Sequence, residues 1–126
     1  MAQKLIALVL TDAVATAPDG KFTLYGLFDT INCRKIPTRH PQFSIFWKIY
    51  SDEEGKVALN VRKPDGSVLL NIDPVKIRPK SISQGSATFA GVEFPVSGEY
   101  SIAIVFNDSE EIGSTIFTIR ELESNH

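Results

Sequence analysis

A cysteine and a histidine lie close together in the sequence and could supply nucleophilic catalysis. This chemistry needs a base beside the nucleophile, and Cys33 precedes His40 by seven residues in one predicted basic loop. The second histidine, His126, stands at the end of the sequence, and no G-x-S-x-G elbow occurs. A half-buried thiol and a surface imidazole explain the pair more simply. A hydrolase is therefore the least favoured function, and we predict that the protein is not an enzyme.

Two acidic stretches, 52–54 and 108–111, could offer oxygen ligands to a cation. Neither shows the regular alternation of ligands found in calcium loops, and the sequence has no Cys/His cluster, H-E-x-x-H motif or EF-hand pattern. Glu93 and Glu99 flank one turn and could form a glycosidase pair, but both are predicted to point outward from strand ends. We therefore predict no catalytic residues, no metal site and no cofactor.

A basic segment is the most distinctive charge feature. Residues 34–80 contain ten Lys/Arg and five Asp/Glu, whereas the rest of the chain contains three and ten, for a net charge of −2. If the chain is extended there, Lys76, Arg78 and Lys80 share one face because side chains repeat every two residues. Two interpretations remain open. The segment contacts an anionic partner, such as nucleic acid, or it is an edge whose lysines and prolines prevent unwanted strand pairing, which we favour.

The length of 126 residues suits one domain with a substantial core. We predict a single β-sandwich domain over residues 1–120 and a polar C-terminal tail over 121–126. The only cysteine excludes an internal disulfide, which fits a cytoplasmic location. Lys4–Leu10 is predicted to be a strand rather than a signal peptide, because its apolar run is shorter than the usual ~7–15 residues. No stretch approaches the ~18 apolar residues of a membrane span, so we predict no membrane contact.

Short apolar runs between turn signals recur throughout, and no segment combines a helical period with caps. The strongest strand is Gln42–Ser51, in which one face is apolar and includes Trp47. Residues 21–30, which follow the Pro18-Asp19-Gly20 turn, are predicted to form a central strand, whereas Asp73–Gln84 is predicted to be irregular because it contains two prolines. The pattern predicts an all-β fold of about eight strands in a two-sheet antiparallel sandwich.

Three motifs resemble a bacterial and phage family of small β-sandwich proteins of unknown function. They are Leu8–Val14, with an aspartate after the first strand; Asp19–Ile31, which matches a G-K-x-x-L-x-G-x-F-D-x-I-like core; and Phe94–Ile102, which contains P-x-x-G-x-Y. The resemblance covers most of the chain. It implies an immunoglobulin-like or related sandwich and carries no known activity.

The second face of strand 42–51 is also partly apolar, since Phe46 and Tyr50 lie opposite the Trp47 face. A sandwich strand needs only one apolar face, so the second requires a cover. Either a loop of the same chain or a protein partner, including a second copy, could provide it. We therefore predict a non-enzymatic binding or assembly module with a protein partner or a homodimer contact at Phe46 and Tyr50. The alternative function is an anion or nucleic-acid binder that uses segment 34–80.

Overall fold

The computed structural model describes residues 3–122 and consists of nine β-strands in two packed sheets, which confirms the predicted sandwich. Within these residues there is no helix, and thus no helix that could span a membrane. The strands are β1 (Gln3–Thr16), β2 (Phe22–Phe28), β3 (Thr30–Cys33), β4 (Thr38–Ser51), β5 (Gly55–Arg62), β6 (Val68–Ile77), β7 (Ser81–Phe94), β8 (Gly98–Phe106) and β9 (Glu110–Glu121).

The four-stranded sheet has the order β2-β1-β4-β7, and the five-stranded sheet has the order β3-β9-β8-β5-β6. The strand pairs are antiparallel except β3 and β9, which run parallel. The exception arises because the chain leaves the first sheet at β2 and joins the edge of the second. At the crossing, the Thr118 amide donates to the Asp29 carbonyl at 2.8 Å.

The core lies between β4 on one side and β5, β8 and β9 on the other. The predicted inner face of β4 is confirmed, and Trp47 is only 4% exposed. An aromatic cluster occupies one end of the core, with ring centroids 5.4–6.0 Å apart between neighbours. Its members are Phe43, Phe94, Tyr100 and Phe117, each at most 1% exposed. Fully burying each of these rings contributes roughly 2–3 kcal/mol before the cost of chain entropy.

The stretch predicted to be central is instead an edge strand. Among residues 3–122, β2 pairs only with β1, and its Tyr25 and Leu27 are 53% and 64% exposed. The apolar composition of a strand reports its tendency to be extended and partly buried, but it does not distinguish the middle of a sheet from its edge. The dominant central strand of this sheet is β4, which lies between β1 and β7.

Two other boundaries differ from the prediction. β6 continues through Pro74 to Ile77, and β7 begins at Ser81, so most of the segment predicted to be irregular is strand. Proline is tolerated in β6 because an edge strand has one side free of ladder hydrogen bonds. At the C-terminus, the Leu122 amide donates to the Cys33 carbonyl at 2.8 Å; positions 123–126 of the predicted tail are outside the described residues.

Candidate functional site

His40 lies at one end of the sandwich between two phenylalanine rings. Its ring centroid is 5.9 Å from that of Phe28 and 6.1 Å from that of Phe43. A shallow pocket of about 350 Å³ at this end is lined by His40, Asp12, Phe28, Thr30, Ile31 and Asn32. Cys33 does not line it and packs against the core instead. The pocket therefore does not combine the thiol with the imidazole, and His126 lies outside the described residues.

The acidic side chains of the sandwich do not gather into a metal site. Within residues 3–122, no group of three or more His, Cys, Asp or Glu side chains is arranged to hold a metal ion. Two of the carboxylates instead lie near basic residues: Glu93 is 4.0 Å from Arg39 on the neighbouring strand β4, and Glu111 is 3.6 Å from Arg62 of β5. These are partly exposed pairs, which contribute only about 0–1 kcal/mol each.

The basic segment does not form one face. The strand that would align its cations ends at Ile77, and Lys80 lies in a turn with φ of 52°. Lys76 lies beside Lys56 of β5, which brings two like charges together. Ser81, which follows Lys80, pairs with Ser51 at one end of β4, whereas Arg39 lies near the other end of β4. The cations at 34–39 therefore lie far from Lys76, Arg78 and Lys80, because most of the length of β4 separates the two groups.

Phe46 is buried on the outer face of the four-stranded sheet by its own chain. It is 7% exposed, and its ring centroid lies 5.3 Å from that of Phe22. Phe46 pairs with Val9 of β1, whereas Phe22 pairs with Thr16, seven residues farther along β1. The contact therefore requires the far end of the β1–β2 hairpin to fold back over the sheet. This covers Phe46 with a segment of the same chain.

Tyr50 lies farther along the same face and is partly exposed. Its hydroxyl donates to the Asp52 carboxylate at 2.7 Å, and this hydrogen bond is the main reason why the pKa of Tyr50 is raised. Its cross-strand neighbour on β7 is Ile82, which is 57% exposed. Tyr50 and Ile82 thus form a small apolar area that reaches the edge of the sheet.

The four edge strands of the described sandwich differ in how well they resist pairing with another chain. β3 has only four residues, β2 contains Gly26 at a φ of +67°, and β6 contains Pro74 and charged side chains. Short strands, irregular backbone, prolines and charges are the usual protections of sheet edges. We favoured the interpretation that the basic segment is a protected sheet edge, and β6 does lie at the edge of its sheet.

β7 has fewer of these protections, and its left-handed glycine, Gly91 at a φ of +66°, lies near its C-terminal end. It is fourteen residues long, contains no proline, and has a single charged side chain, Glu93, next to its end. Within residues 3–122 it pairs only with β4, so its second side has no strand beside it. Sequence reasoning missed this edge because part of the strand was predicted to be irregular. The uncharged run SISQGSATFAGV was the available signal.

The model of one protein family, described as "Family of unknown function (DUF6941)", matches residues 6–120, and the chain belongs to this family. A search of curated proteins gives no significant match.

Several solved structures are similar in fold. A β-glucosidase from Kluyveromyces marxianus shares 9% identity at a TM-score of 0.47, with 71% of this chain and 14% of that chain covered. The CARDB domain of a Pyrococcus furiosus protein, solved in complex with di-metal ions, shares 11% identity at a TM-score of 0.43 over 94% of this chain and 97% of that chain. A GH3 β-glucosidase from Bifidobacterium adolescentis shares 10% identity at a TM-score of 0.45 over 90% and 17%. The chain thus spans less than a fifth of either glucosidase.

Proposed function

We propose that this chain is a non-enzymatic binding or assembly module that joins a protein partner by strand pairing along the free edge of β7. The observation that supports the proposal is the contrast between β7 and the other three edges of the described sandwich. The edges β2, β3 and β6 are distorted, short and charged, respectively, whereas β7 is long and nearly uncharged. The single free cysteine is consistent with a reducing, cytoplasmic setting for this function.

Strand addition is a common way for a sheet to bind another chain. An edge strand presents unpaired N–H and C=O groups at every second residue. A partner strand that completes this ladder gains affinity from main-chain hydrogen bonds and specificity from alternating side chains. The side chains of β7 that face solvent are mostly small or polar, and Ser86 and Thr88 are both exposed. They leave the backbone accessible to a second strand.

The proposal is tested by capture from an extract of cells that express the protein. The bait is the full chain, compared with an edge variant, Gln84→Lys/Ser86→Lys, which adds two charges at exposed positions of β7. The matched control is Ser114→Lys, because Ser114 is also exposed on a strand but lies in β9 of the other sheet. We expect the edge variant to lose the captured proteins and the control to retain them.

The result that would overturn the proposal is capture of the same proteins by the edge variant while it remains folded. Folding is checked by unfolding in urea, since surface substitutions of this type change the free energy of unfolding by only about 0.5 kcal/mol. The cations of segment 34–80 lie at separate places on the sandwich, so no comparable observation favours an anion-binding function.

A further inference from the structure

We infer that the partner at the β7 edge is a second copy of this chain, paired antiparallel about a two-fold axis that passes beside Ser86. The inference rests on the proposed function and names its partner. It joins the two four-stranded sheets into one continuous eight-stranded sheet. Such an interface is isologous, so each surface that it uses on one copy must complement the same surface on the other.

The side chains of β7 allow this self-pairing. A two-fold axis perpendicular to the sheet keeps the outer faces of both copies on the same side. Residues that face each other across the axis must then belong to the same row. The outer row of β7 consists of five exposed residues, Ile82, Gln84, Ser86, Thr88 and Ala90.

Ser86 is the middle residue of this row. In the register that aligns the two rows completely, Ser86 of one copy lies opposite Ser86 of the other. Gln84 then faces Thr88 of the second copy, and Ile82 faces Ala90. The first pair can form a side-chain hydrogen bond, and the second pair brings together two apolar groups. Favourable cross-strand pairs of these kinds are the main side-chain contribution to sheet stability.

The charges at the two ends of β7 are complementary in this arrangement. Glu93 lies near the C-terminal end, 4.0 Å from Arg39 of its own chain, and its side chain is still 54% exposed. Arg78 and Lys80 precede the N-terminal end and are exposed. Antiparallel pairing brings Glu93 of one copy to the end where Arg78 and Lys80 of the other lie. A parallel arrangement would instead place the two Glu93 carboxylates together. The chain thus supplies the charge complement of its own edge.

The register is tested by disulfide cross-linking of the full chain in a Cys33→Ser background, with diamide as the oxidant. Directly opposite residues have Cα atoms about 4.5–5.5 Å apart, which suits a disulfide. Ser86→Cys is therefore expected to cross-link to itself. Gln84→Cys alone should form no disulfide cross-link, since its two copies are offset by four residues, about 13 Å along the strand. A mixture of Gln84→Cys and Thr88→Cys should form the mixed dimer. Cross-linking of Gln84→Cys alone and not of Ser86→Cys would overturn this register.

Light scattering on the chain with its natural cysteine tests the self-association. We expect a dimer at about 100 μM, a concentration at which a micromolar Kd leaves mostly dimer. Ser86→Lys places two ammonium groups opposite each other and should raise the dimer Kd about tenfold or more. Ser114→Lys should leave it unchanged.

Two results separate this inference from the function on which it rests. A wild-type monomer at 100 μM, combined with capture of other proteins that depends on the β7 edge, would overturn self-pairing and leave the proposed function standing. If a dilution series followed by light scattering gives Ser86→Lys the same dimer Kd as the wild type, the contact lies elsewhere and the inference is overturned.

Discussion

The side chain of Asp12 occupies the space in which a Cβ atom at Gly26 would lie. A Cβ built there would be 2.8 Å from Asp12 Cγ and 3.1 Å from Asp12 Cβ, and the φ angle of Gly26 is +67°. The pair lies just beyond Thr11, the last residue of β1 that pairs with β4. This is the place from which the β1–β2 hairpin folds back over the outer face of the sheet. A glycine here allows both the positive φ and the close approach of the two strands.

We expect Gly26→Val to lower the free energy of unfolding by about 2–5 kcal/mol. Backbone strain at a positive φ contributes about 1–3 kcal/mol, and the steric conflict with Asp12 adds to it. The matched control is Gly66→Val, because Gly66 has a φ of +89° and no atom within 4 Å of its Cβ position. Urea unfolding of both variants measures the difference. Equal losses in the two variants would show that the contact with Asp12 costs no stability. Adding Asp12→Ala should restore part of the lost stability in Gly26→Val but not in Gly66→Val.

How much of this architecture could be predicted depends on the strand concerned. The inner face of β4 follows from large apolar residues at every second position, because alternate side chains of a strand share one face. β2 contains an equally apolar sequence, yet it is an edge strand whose outer side chains cover the sheet or face solvent. The contact between Phe22 and Phe46 depends on a backbone fold at Asp12 and Gly26, which no periodicity reveals.

The candidate interface was less accessible to sequence reasoning. β7 is composed largely of Ser, Gly, Ala and Thr with few large apolar residues, and its first four residues fall in the segment 73–84 that was predicted to be irregular. The basic segment gave the opposite error. Its alternating cations suggested a common face, but β6 ends before the last two of them and a left-handed residue, Lys80, turns the chain.

Trp47→Ala is expected to cost about 3–5 kcal/mol of stability, through lost transfer energy and the remaining cavity. Trp47 is almost fully buried, and its indole passes so close to Gly85 that a Cβ there would be 2.7 Å from Cζ2. Intrinsic fluorescence of the wild type should show a blue-shifted maximum that moves to longer wavelength on unfolding. A native maximum typical of a hydrated indole would contradict this environment. Gly85→Ala should also destabilise the protein, because the added methyl group would collide with the indole.

The covering of Phe46 by the hairpin predicts energetic coupling between Phe22 and Phe46. In a double-mutant cycle with Phe22→Ala and Phe46→Ala, we expect the losses of stability to be non-additive by about 0.5–1.5 kcal/mol, the usual contribution of an aromatic pair. Urea unfolding of the four proteins at low concentration measures this coupling. Phe22→Ala paired with an alanine substitution at the distant Phe117 serves as the control cycle. Simple additivity at Phe22 and Phe46 would show that another element covers Phe46.

Tyr100 predicts how stability responds to alkaline pH. Its ring is fully buried against Phe94 and Phe117, and its hydroxyl donates to the Val96 carbonyl at 2.7 Å. Burial raises the pKa of this hydroxyl above its ordinary value of about 10. A group whose pKa is higher in the folded state than in the unfolded state stabilises the fold fully at lower pH. This contribution is lost as the pH rises from about 10 through the folded-state pKa.

We therefore expect the free energy of unfolding of the wild type to fall as the pH is raised above about 10, and Tyr100→Phe to weaken this fall. At pH 7 the variant should lose about 1–2 kcal/mol, because the turn at Val96 loses its hydrogen-bond partner. Tyr25→Phe, at an exposed ring, is the control and should follow the wild type at each pH. Denaturant unfolding between pH 7 and 11 measures all three proteins. If Tyr100→Phe keeps the full alkaline loss, other titrating groups must cause it, and the buried hydroxyl is not the determinant.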